Sequence, residues 1–170
     1  PQWPAHPDWQ RFVAAPTTPD VHPVRIVSTT GSVSGATTLV GSGVGRATLT
    51  MTPGGRSPVI VVDYGQDVGG IPYFAVQSES GMPLLHSAYS EGLQYLGPQG
   101  DQTPQNSPTG DPNRFDDLIV DSSGTLTTGT IQGGERYEGI SLTSPGRLTL
   151  TSIGIRFTAL RTTAQNYRGW

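Results

Sequence analysis

Cysteine is absent from the 170-residue chain, so disulfides, thiolate nucleophiles and thiolate zinc sites are all excluded. Lysine is absent as well: the 10 basic residues are all arginines, spread along the chain rather than gathered into a stripe. With charged residues at 14% and a formal net charge of -3, the electrostatic footprint of a nucleic-acid or acidic-membrane partner is missing. No apolar run approaches the roughly 18 residues of a membrane-spanning helix. The first ten residues, PQWPAHPDWQ, show neither a basic stretch nor an apolar one. The chain is therefore expected to be soluble and, if secreted, to have shed its leader. Catalytic signatures are missing too. There is no G-x-S-x-G elbow, phosphate loop or H-E-x-x-H, and His6, His22 and His86 are scattered, which suggests neither a histidine metal cluster nor a triad.

What is abundant is turn chemistry. Gly numbers 23 and Pro 15, with many Ser and Thr, so helix formers are scarce and an all-β domain of ordinary size is expected. Residues 1–23 carry Pro1, Pro4, Pro7, Pro16, Pro19 and Pro23, a density that forbids a helix and suits an extended arm packed on the domain. Trp3, Trp9 and Phe12 are the residues expected to pin it. From Val24 to Trp170 short β runs alternate with Gly, Ser and Asn at the spacing of an antiparallel β-sandwich of jelly-roll type. VRIVST, ATTLVG, RATLTM, PVIVVDY, IPYFAVQSE and LLHSAYSEGL are the first six expected strands, followed by FDDLIV, GERYEGISL and RLTLTSIGIRFTAL. In RATLTM, Ala47, Leu49 and Met51 share one face. PVIVVDY reads as buried on both faces, hence central in its sheet. In the last segment the inward set changes phase from Leu148 and Leu150 to Ile153, Ile155 and Phe157, which predicts a β-bulge or bend near Thr151–Ser152. Residues 97–114 lack apolar periodicity and form a connection longer than most.

Chemistry has few carriers here. In VVDYGQDVGG, Asp63 and Asp67 offer hard oxygen ligands for calcium, with Gly65, Gly69 and Gly70 permitting a tight backbone. The same residues equally describe an ordinary turn between two strands. Asp116 and Asp117, adjacent in a strand, point to opposite faces. Glu91, Arg114, Glu135 and Arg136 are charged residues inside strand-like text, and structural Arg–carboxylate pairs are their plain reading. Tyr64, Tyr73, Tyr89, Tyr95 and Tyr137 lie near these polar residues, either as core side chains or as platforms for a sugar ring.

The order IVVDYGQDVGG, LLHSAYSEGLQYLGPQGD, DPNRFDDLIV, GGERYEGISL resembles the N-terminal β-sandwich region of α-L-rhamnosidases of glycoside hydrolase family 78. The D-[FY]-G-Q-like strand is matched by Asp63, Tyr64, Gly65 and Gln66. A later strand with a His and a Glu is matched by His86 and Glu91, an R-x-x-D segment by Arg114 and Asp117, and G-x-E-R-Y by Glu135, Arg136 and Tyr137. The resemblance implies a secreted, extracellular parent enzyme whose catalytic carboxylates belong to a following (α/α)6 barrel, and a sandwich that either binds L-rhamnose, in some members with calcium, or supports the barrel.

The resulting expectation is a non-catalytic carbohydrate-binding or ancillary domain. A carbohydrate and the parent's catalytic domain are its expected partners, and nucleic acid and membrane are not. Asp63, Tyr64, Gln66, Tyr89, Glu91 and Arg114 are the expected sugar-binding residues, and Asp63, Asp67 and Asp117 the expected calcium ligands. Two alternatives stand beside it: a purely structural domain docking the barrel, and a small glycan-cleaving enzyme with Glu91 and Glu135 as acid and base.

Overall fold

Alternating burial along the strands sorts the side chains into an inner and an outer set, and the computed structural model arranges those strands as two layers around the inner set. It describes residues 20–42, 45–104 and 114–157. The strands are β1 (Asp20–Val21), β2 (Arg25–Thr30), β3 (Ser32–Ser34), β4 (Ala47–Met51), β5 (Val59–Ser80), β6 (Leu84–Ser90), β7 (Leu96–Gly97), β8 (Gly100–Asp101), β9 (Phe115–Ile119), β10 (Gly124–Thr127), β11 (Gln132–Leu142) and β12 (Gly146–Phe157). All the pairings are antiparallel.

The 22-residue β5 belongs to both layers. Its first part, Val59 to Asp63, lies between β2 and β11, and β11 continues through β6 to β9. These five form the front sheet. Its second part, Gly70 to Ser80, lies against β12, with β10 on the other side along Tyr73 to Val76. Beyond β12 come β4 and then β3, completing the back sheet. The fold is the antiparallel jelly-roll sandwich expected. Between the layers Ile60, Val62, Leu85, Ile140 and Leu142 of the front sheet meet Leu49, Phe74, Leu148, Leu150 and Ile153 of the back sheet. Each such buried side chain contributes roughly 1.5–3 kcal/mol of hydrophobic stabilisation.

Several expectations are met in detail. Ala47 and Leu49 are fully buried on one face of β4, and the phase change in β12 is a real irregularity, with register shifts at Thr149/Leu150 and Leu150/Ser152. Others need correction. ATTLVG is no strand: Ala36–Leu39 is a 3-10 turn that tucks Ala36 and Leu39 into the core. The run Asp63 to Gly70 does not turn the chain between two strands but continues as one strand, bent as it passes from sheet to sheet. Asp20 and Val21 already pair with Arg156 and Ile155, so sheet pairing begins before Val24. The rest of the proline-rich arm, with Trp3, Trp9 and Phe12, lies outside the described residues, as does Trp170. In the long connection, residues 96–101 form the small β7–β8 hairpin, while 105–113 are not described.

Candidate functional site

Register places the outward side chains of the front sheet in three rungs. The first reads Arg25, Asp63, Tyr137, Ser90 across β2, β5, β11 and β6. The second reads Ser28, Val61, Gly139, Ala88, Phe115, and the third Thr30, Val59, Ser141, His86, Asp117. Residues directly opposite in a ladder share a face, and successive rungs lie two residues, or about 7 Å, apart.

An open pocket of about 510 Å³ lies over the second and third rungs. Val59, Val61, Ala88 and Gly139 line it with Leu96 and Pro98, and Ser57, His86, Ser141 and Thr143 supply its polar atoms. Gly139 keeps the floor low: a Cβ there would reach Leu96 at 3.6 Å. The β7–β8 hairpin forms a wall and is held by the sheet at both ends. The carbonyl of Pro98 lies 2.7 Å from His86 Nε2, and His86 Nδ1 lies 2.8 Å from Asp117. Ser90 donates to Asp101 at 2.7 Å.

The first rung is ionic. Asp63 accepts from Arg25 at 2.8 Å, from Arg136 at 3.0 and 3.4 Å, and from the Gly65 N–H at 2.7 Å. The last contact is a short local turn that Gly65 permits at φ 78. Burial works against the charge of Asp63, but the hydrogen bonds from Arg136 and Arg25 outweigh it and hold the carboxyl down at about 2. A register shift between Glu135 and Tyr137 explains how Arg136 joins its neighbour on the outer face while Glu135 and Glu138 both point inward. The Arg136 guanidinium sits 5.2 Å from the Tyr137 ring centre.

On the inner face lies a second polar group. Glu138 accepts from Tyr64 and from Ser87, both at 2.6 Å. Even so, burial pushes its carboxyl up to about 7. Glu135 is fully buried, with neither carboxylate oxygen hydrogen-bonded among the described residues; the Arg114 guanidinium lies 3.6 Å away. Burial and the neighbouring Glu138 push Glu135 up to about 8.

These positions redraw the expected site. Tyr64 and Tyr89 are 2% and 0% exposed, so both are core residues rather than platforms for a sugar ring. Their rings sit between the sheets, and burial raises both hydroxyls well above the ordinary tyrosine value. Gln66 and Asp67 are exposed on the bend of β5. Glu91 is exposed, and Arg114 bridges it at 4.0 Å to the interior Glu135. Arg114 also donates to the Gly133 carbonyl at 2.6 Å, so the expected structural pairing is present. The enclosed Glu135 is poorly placed to serve a sugar as acid or base. Asp63, Asp67 and Asp117 do not fit a shared calcium ion. Asp63 is engaged by two arginines, and Asp117 lies three strands and two rungs away, roughly 20 Å by strand geometry. Among the described residues no three His, Asp or Glu side chains cluster as metal ligands. Sequence reading missed the pocket, because its floor is made of Val, Ala and Gly that only register brings together. The Pro98–Gln99–Gly100 turn was the available sign of its hairpin wall.

No protein-family model matches the chain, and no curated protein matches it in sequence. Solved structures do. A mutant lectin-binding domain of lectinolysin, complexed with Lewis b, superposes with a TM-score of 0.55 at 12% identity, covering 82% of this chain and 95% of that one. A second lectinolysin lectin domain complexed with Lewis B antigen gives a TM-score of 0.49 at 11% identity, with 78% and 93% covered. Chitosan-binding module 1 of a chitosanase/glucanase from Paenibacillus sp. IK-5 gives 0.44 at 13% identity, with 80% and 97% covered. At such identities the shared property is the fold, a β-sandwich like that of the lectinolysin domain.

Proposed function

We propose that this chain is a non-catalytic carbohydrate-binding module that takes a sugar into the open pocket on the outer face of the front sheet. The pocket carries the reading: an apolar floor of Val61, Ala88 and Gly139 beside Leu96, rimmed by the hydroxyls of Ser57, Ser141 and Thr143, with His86 at its edge engaged by Pro98 and Asp117. A pyranose presents a C–H face and a rim of hydroxyls, and this lining complements both. A 6-deoxy sugar adds a methyl group that suits the apolar floor, which favours L-rhamnose or a rhamnose-capped plant polysaccharide. The lectinolysin domain that shares the fold is complexed with a glycan, Lewis b. The ordered motifs support a secreted α-L-rhamnosidase-like parent whose catalytic barrel is the module's covalent partner.

Calorimetric titration with L-rhamnose and rhamnose-capped oligosaccharides tests this, run with calcium and again with chelator. Binding heat that vanishes in Gly139→Leu, with an unchanged melting transition, supports the pocket. Absence of heat with every sugar rejects the module reading in favour of a scaffold for the barrel. Heat lost on chelation would establish a calcium requirement.

A further inference from the structure

Two guanidinium groups stand one rung beyond the pocket, without an evident task in binding a neutral sugar. Arg25 and Arg136 are 61% and 39% exposed, yet neither is loose, because both bond the same buried carboxylate of Asp63. Sharing Asp63 Oδ2 brings the two cations within a few ångströms of each other, and one carboxylate neutralises only one of them. Asp67 is exposed and makes no hydrogen bond to either among the described residues; its charge acts on Arg136 only through space, behind the direct contact with Asp63. Arg25 uses only a terminal nitrogen on Asp63, and Arg136 uses Nε and one terminal nitrogen. Each therefore keeps N–H donors for an external acceptor, held in place beforehand by a partner that is itself fixed by Gly65. Burying Asp63 at the root of two exposed arginines orients positive charge outward.

Placement connects this pair to the pocket. Arg25 and Asp63 belong to the rung directly beside Val61, Gly139 and Ala88, about 7 Å from that nearer rung of the pocket and about 13 Å from the His86 rung on its far side. A glycan lying along β11 with one unit in the pocket would set its next units over Tyr137 and the arginines. We propose that Arg25 and Arg136 bind the carboxylate of a uronic acid adjoining the sugar in the pocket, making this a module for uronate-bearing glycans. The proposal rests on the carbohydrate-binding reading and deepens it by naming the ligand class.

The test uses an alternating L-rhamnose/D-galacturonate tetrasaccharide and the same tetrasaccharide with its carboxyls methyl-esterified, titrated into the full chain at low salt. The free acid is expected to bind roughly tenfold or more tightly than the ester, the scale of a charge-assisted hydrogen bond, with the preference shrinking as salt is added. Arg25→Gln should bring the acid-to-ester ratio close to one, and Arg25→Lys should restore part of it. A melting curve for each variant shows that the fold is kept. Equal affinity for acid and ester, or a preference that survives Arg25→Gln, overturns the arginine assignment while leaving the pocket intact. If neither glycan binds, the module reading falls and this inference falls with it.

Discussion

Asp63 and Glu135 sit on neighbouring strands of one sheet, both nearly closed to water though Glu135 lies deeper, and their carboxyls are driven in opposite directions. Asp63, on the outer face, meets two guanidinium groups and a backbone N–H and is held down at about 2. Glu135, on the inner face, finds no partner for either oxygen within hydrogen-bonding geometry among the described residues and is pushed up to about 8. Burial opposes the charge of both: at Asp63 the donors outweigh it, whereas at the deeper Glu135 burial and the neighbouring Glu138 prevail. The outer face is built to hold fixed charge where a ligand can meet it. The inner face tolerates a carboxyl by keeping it neutral over much of the physiological range.

The largest test of this contrast is Asp63→Ala. It leaves two arginines and the Gly65 N–H without their acceptor and should cost about 3 kcal/mol. That corresponds to a melting point lower by roughly 6–12 °C at pH 6; a loss too small to detect would mean that the arginines do not need their anchor. The pH profile comes next. Between about 4.5 and about 8 the folded protein keeps protons on Glu135 and Glu138 that the unfolded chain has released, so stability must fall as pH rises through that window. Asp63 acts at the other end, its contribution disappearing as pH drops from 3.8 towards about 2. A calorimetric series should therefore show maximal stability near pH 4–5. Glu135→Gln should flatten the alkaline limb, recovering about 2–3 kcal/mol at pH 8, and an unchanged limb would break the contrast.

Tyr64→Phe removes one of the two hydroxyls that bond Glu138 and should cost about 1–2 kcal/mol, measured by chemical denaturation at pH 7. Smallest of all is Glu91→Ala. Its contact with Arg114 is 4.0 Å long and solvent-exposed on the glutamate side, so a change within about 0.5 kcal/mol is expected. A larger loss would show that Arg114 depends on Glu91 rather than on Gly133 and Glu135.

The layers of the fold were legible because alternation and turn chemistry are local properties. Ala47, Leu49 and the phase change ahead of Ile153 could be assigned without knowing any partner strand. The site was much less legible. Tyr64, Tyr89 and Tyr137 look alike in sequence, yet only register and a bulge separate the first two, which are buried, from Tyr137 on the outer face. The ion pairs joining residues 25, 63 and 136 span three strands, and no spacing rule announces such a set. ATTLVG misled because Thr and Val favour strands, whereas the need to bury Ala36 and Leu39 together selected a tight helical turn.

The strand β5 has a consequence for how the molecule comes apart. Its 22 residues serve the front sheet at one end and the back sheet at the other, so the loss of either layer frees one end of a strand on which the other is built. A half-opened sandwich, with one sheet intact and the other melted, would strand the middle of β5 between order and disorder. The two layers therefore form one cooperative unit, and the face that carries the pocket draws its rigidity from the whole domain.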